Sequence, residues 1–157
     1  MRKLLLNVVI LLSVMQMTQS AGNPFFGKFK TPFETPPFNQ IKTEHYEPAF
    51  DEGIRRMEKE IKAIAENPQP ATFANTIVAL ERAGKLLNTV SSVFFNVLSA
   101  EANDEMMEIS QRVSPKLSEC SNNIYLNEAL FARVQTVYDQ RQQLGLSTED
   151  AKLLEET

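Results

Sequence analysis

Residues 72–103 read TFANTIVALERAGKLLNTVSSVFFNVLSAEAN, and this stretch decides the fold class. Phe73, Ile77, Leu80, Leu87, Val90 (or Ser91), Phe94 and Leu98 recur at three- and four-residue spacing, the repeat of one helical face. Thr72 stands where an N-cap belongs, and the run is expected to end near Asn103. Gly84 falls on the apolar face between Leu80 and Leu87. Glycine there costs about 1 kcal/mol against alanine, so it predicts either a close neighbouring helix or a kink. No alternating strand pattern competes anywhere, and no internal repeat is evident.

The same period extends in both directions. Upstream, Thr43 is the expected cap of a helix to about Glu66, with Tyr46, Phe50, Ile54, Met57, Ile61 and Ile64 facing inward. Pro48 sits in its first turns, where a missing N–H costs little, and Asn67-Pro68-Gln69-Pro70 ends it. Downstream, a helix over about Asp104–Ile124 carries Met106, Ile109, Val113, Leu117, Cys120 and Ile124, with a bend expected at Pro115. A fourth helix starts at Asn127, turns Leu130, Val134, Val137 and Tyr138 inward, and is closed by Gly145 as a C-terminal cap. Ser147-Thr148-Glu149-Asp150 opens a fifth. That last helix ends in Leu153-Leu154-Glu155-Glu156-Thr157, with no evident partner for its leucines, so the domain reads as truncated at its C-terminal end. The expected fold is all-α, a bundle of four to five helices in hairpins.

Two further segments precede the helices. Residues 23–41, NPFFGKFKTPFETPPFNQI, hold five of the ten phenylalanines and four of the eight prolines. Proline at that density blocks helix, while so many aromatics argue against a disordered tail. An extended arm over residues 21–42 is expected to pack its rings on this domain or on further protein. Met1-Arg2-Lys3 followed by the apolar run Leu4–Val14 reads as a targeting segment. As a helix that run would reach about 16 Å, against about 30 Å of hydrocarbon, which suits a signal peptide better than an anchor. The expected organisation is a signal peptide at 1–20, the Pro/Phe-rich arm at 21–42 and a helical domain at 43–157. The product is expected to be exported, periplasmic or secreted, and to meet a membrane only during export.

Composition narrows the chemistry. The 157 residues are 43% hydrophobic and 23% charged, with a net charge of −4. Without residues 1–20 the balance is 14 basic against 20 acidic, or −6. A chain that acidic is a poor partner for nucleic acid. One cysteine, Cys120, excludes an internal disulfide framework, and its place on an apolar stripe makes it a buried, inert thiol. One histidine, His45, excludes any H-E-x-x-H zinc motif. Glu44-His45-Tyr46-Glu47 resembles a metal cluster, but adjacent helical residues point apart and do not converge on one ion. There is no glycine-rich phosphate loop and no supported nucleophile system. The mixed run Arg55–Lys62 reads as a solvated helix face. No catalytic, cofactor-binding or metal-binding residue is therefore assigned.

In order along the chain, Asn23-Pro24, Pro37-Phe38, Ile41-Lys42, Glu44-His45-Tyr46 and Pro48-Ala49-Phe50 resemble the start of the M3 family of zinc oligopeptidases. Thr72–Glu81, TFANTIVALE, resembles a stretch of its peptidyl-dipeptidase branch. Val93–Asn96, Pro115–Leu117, Leu126-Asn127, Leu130–Val134 and Leu153–Glu155 continue the likeness. The resemblance implies a mostly helical enzyme several times longer than this chain, with a deep channel. It also implies a zinc site downstream and release of C-terminal dipeptides from short peptides. By that likeness these residues form one wall of the channel and lack the catalytic half. Zinc is then expected in the full-length family and not here, and the chain alone is expected to be inactive. A self-standing secreted helical binding module, associating through its phenylalanine arm, is the alternative. The targeting reading makes a direct prediction. With Thr18/Ser20 or Ser20/Gly22 at the cleavage site, mass spectrometry of the exported product should find Ala21 or Asn23 as its first residue.

Overall fold

The computed structural model describes residues 22–157, so the targeting segment expected over 1–20 lies outside the described residues. Among them there is no strand. The helices are α1 Tyr46–Ala65, α2 Ala79–Arg82, α3 Lys85–Ala100, α4 Asp104–Tyr125, α5 Glu128–Asp139 and α6 Thr148–Glu156. A wide π-helical turn, Phe73–Val78, leads into α2, and single 3-10 turns lie at Pro24–Phe26, Pro32–Glu34 and Thr43–His45. The all-α class expected from the periodicity is the observed one.

Polar side chains start the helices by accepting backbone N–H groups that have no helical partner. Asn103 Oδ1 accepts from Met106 at 2.9 Å, Asn127 Oδ1 from Leu130 at 2.9 Å, and Ser147 Oγ from Asp150 at 3.1 Å. Thr72 and Asn75 cap each other reciprocally, at 3.1 and 2.8 Å. The expected cap at Thr43 is not the one used. Residues 43–45 form a 3-10 turn instead, in which His45 Nδ1 accepts the Lys42 N–H at 3.0 Å.

The centre of the fold is the pairing of α1 with α3. Ala49, Phe50 and Gly53 face Leu87, Val90 and Phe94 across it, and all six are buried. Gly53 sets the separation: a Cβ placed there would stand 3.0 Å from Leu87 Cα. α4 lies against this pair through Met106, Ile109, Val113 and Cys120. Below it, Ile61 and Ile64 of α1 pack with Ala83 and Leu130. A third cluster joins Ile77, Val137 and Leu154.

Several boundaries depart from the sequence reading. The run 72–103 is not one helix. Ala83 is extended and Gly84 adopts φ +72, so the chain breaks there and restarts as α3. The Gly84 N–H donates to Glu60 Oε2 at 2.8 Å, and its bare α-carbon accommodates Met57 Sδ. Of the two outcomes expected at Gly84, the kink is realised as this break, with Met57 of α1 lying close by, and a further close approach of α1 and α3 occurs at Gly53. Pro115 lies on an exposed face inside α4. Tyr138 is outside rather than inside, stacked under the Arg141 guanidinium 4.0 Å from its ring centre. Gly145 takes φ +59, but α5 has already ended at Asp139. Leu154 has its partner within the chain and is 3% exposed.

The arm reaches the core at its start. Asn23 is buried, with Oδ1 accepting the Phe25 N–H at 3.1 Å and Nδ2 donating to the His45 carbonyl at 2.8 Å. Phe25 is buried between Phe29 and Tyr46, with ring centres 6.2 and 5.7 Å away. Tyr46 meets Phe94 at 5.0 Å, and Phe94 meets Phe50 edge-on at 5.3 Å. Phe33 and Phe38 remain outside.

Gly53→Ala forces a methyl into the α1–α3 contact against backbone. Thermal or denaturant unfolding should show a loss of about 1–3 kcal/mol, although alanine is the better helix former.

Candidate functional site

The sole histidine serves architecture. Its Nδ1 accepts the Lys42 N–H within the turn, and its backbone carbonyl accepts from Asn23 Nδ2, which ties the arm to the start of α1. Its neighbours diverge. Glu44 is exposed and Tyr46 points into the core, where burial pushes its phenol up. Glu47 reaches across to α4 and pairs with Arg112 at 3.1 Å. Among the described residues, no group of three His, Cys, Asp or Glu side chains could hold a metal ion. The zinc that the resemblance implies for the family therefore finds no fitting donor set in these residues.

Cys120 lies at the floor of a shallow groove lined by Asp51, Ile54, Glu58, Lys116 and Glu119. Burial, and then the Glu58 carboxylate, push its thiol up, which keeps it protonated and poorly nucleophilic. Lys116 bridges to Asp51 at 2.6 Å beside the Arg112–Glu47 pair. These pairs are solvated and individually weak, and both span α1 and α4. On the outer face of α1, Arg55 and then Arg56 hold the Glu52 carboxyl down to about 2.

Arg133 is the polar residue that sequence reasoning passed over. Its Nη1 donates to the carbonyls of Asn67 and Gln69 at 2.9 and 3.0 Å. Its Nη2 donates to Asn75 Oδ1 at 3.0 Å and lies 3.4 Å from Thr76 Oγ1. Its Nε is buried without a partner. One guanidinium thus fastens the Asn67–Thr72 loop and the π-helical turn to α5, beside an open groove of about 680 Å³. The signal was available: position 133 stands three residues after Leu130 and four before Val137, on the inward stripe.

Charge and hydrogen bonds here are spent on joining elements. Among the described residues there is no candidate metal cluster, and the thiol in the α1–α4 groove, beside the Lys116–Asp51 pair, is held protonated by its burial. Among them, no helix is long and apolar enough to cross a membrane. Arg133→Met should cost about 1–3 kcal/mol, because it strands two loop carbonyls and Asn75. Hydrogen exchange should place the loosening at residues 67–78 and leave α1 and α3 protected.

No protein-family model matches the chain. It is similar to the dipeptidyl carboxypeptidase of Escherichia coli strain K12, with 48% identity over 133 residues, covering 85% of this chain and 20% of that enzyme. The dipeptidyl carboxypeptidase of Salmonella typhimurium strain LT2 is 46% identical over 133 residues, with the same shares covered. Oligopeptidase A of Escherichia coli strain K12 is 26% identical over 125 residues, covering 80% of this chain and 18% of that protein. The chain spans about a fifth of the length of the curated relatives it matches. Identity near one half, sustained through the arm and the helices, makes this chain a member of the M3 peptidase family, in which it corresponds to an N-terminal portion.

Proposed function

We propose that this chain is the channel-wall portion of an exported zinc metallopeptidase of the peptidyl-dipeptidase type, which releases C-terminal dipeptides from short peptides. The observation that carries this reading is the 48% identity to a dipeptidyl carboxypeptidase, against 26% to oligopeptidase A. A single histidine in the whole sequence cannot supply the histidine pair of an H-E-x-x-H helix. In this reading the zinc site and the glutamate base belong to the part of the enzyme that the chain does not match. The chain's own contribution is shape: a wall of capped, close-packed helices that limits access to the channel. Export rests on the N-terminal pattern of residues 1–20.

One observation favours a second reading, a self-standing helical binding module. Phe25 and Leu154, which could have awaited absent partners, are both seated within the chain.

A chimera separates the two. The matched fifth of the Escherichia coli dipeptidyl carboxypeptidase is replaced by this chain, and release of C-terminal dipeptides from a short peptide is measured. The chimera should release dipeptides and lose that activity to a chelator, while the chain alone should do neither. A folded chimera without dipeptide release, or hydrolysis by the chain alone, would overturn the peptidase-wall reading.

A further inference from the structure

Three large apolar side chains stand in solvent at one corner of the fold. Tyr125 is 84% exposed, Leu126 79% and Phe131 65%, and all three fall within the α4–α5 turn and the first turns of α5. A single exposed apolar residue is ordinary, but a cluster of three is a marker of contact. The corner is also firmly built. The Leu126 N–H donates to the Asn122 carbonyl at 2.9 Å and the Asn127 N–H to the Ile124 carbonyl at 3.1 Å. Asn127 caps α5, and Leu130 with Ile124 seats the inner side of the corner on Ile61 and Ile64. The exposed trio is therefore presented by a fixed frame, not by a frayed end.

We propose that this corner is the docking surface for the rest of an M3 peptidase, with Phe131 and Leu126 as its anchors. The proposal rests on the family reading above. Two observations select that occupant. The matched segment is about a fifth of the curated relatives, which carry about four times as much further chain, so a large body adjoins this segment in them. Leu126 and Phe131, which add nothing to the core here, lie in the stretches 126–127 and 130–134 that carry the family resemblance. Large apolar side chains already held on a rigid frame lose little further freedom on burial, which lowers the cost of seating them in an interface.

The test pairs the full chain with the four-fifths of the Escherichia coli dipeptidyl carboxypeptidase that it does not match, produced together as separate polypeptides. Association is read by co-elution and by titration. The wild-type chain should associate. Leu126→Ser with Phe131→Ser should weaken association by about tenfold or more. Phe33→Ser, at an exposed aromatic on the arm, should leave it unchanged. Because the altered residues lie outside the core, all three chains should melt alike. Hydroxyl-radical footprinting gives a second readout, with Tyr125 and Phe131 protected in the chimera described above relative to the free chain. No association of the wild type, equal association of the corner variant, or unprotected Tyr125 and Phe131 in the chimera would each overturn the proposal. Protection without dipeptide release would sink the peptidase reading and leave the docking surface standing.

Discussion

Helices α1 and α3 lie as close as they do because residue 53 has no side chain. A Cβ there would press on the Leu87 backbone, and backbone cannot rotate out of the way as a side chain can. That approach brings Phe50 against Phe94, and Phe94 against Tyr46, at edge-to-face distances. The same rings receive Phe25 from the arm. α4 then packs on the face that the pair presents. Widening α1 from α3 would open this aromatic stack before it disturbed any cap or ion pair.

Much of this was legible before the structure. The inward stripes of α1 and α4, and the helix starts at Thr72, Asn127 and Ser147, follow from period and capping chemistry that act within a few residues. What escaped depends on contacts between distant segments. Gly84 left a close contact and a kink both open; its positive φ ends one helix and starts another, a full break that the apolar stripe running through it did not show. Gly53 lies in a charged stretch, and nothing local marks it as the true point of contact. Leu154 looked stranded because its partners, Ile77 and Val137, lie far off in sequence. Arg133 sat on an apolar stripe, where its fork of donors bonds a loop more than fifty residues away.

The division of labour fits a segment of a larger enzyme. The sole histidine, the sole cysteine and the half-buried Arg133 are all used structurally: one joins arm to helix, one fills the core, one clamps a loop. Polar chemistry is thus spent on holding helices in place.

The aromatic stack has a spectroscopic consequence. The chain has no tryptophan and three tyrosines. Tyr125 and Tyr138 face solvent, while Tyr46 is held between Phe25 of the arm and Phe94 of α3. Asymmetric, immobile surroundings are what give an aromatic ring a strong near-ultraviolet circular dichroism band. One dominant chromophore therefore stands at the junction of arm and bundle, and its signal reports the docking of the arm without any added label.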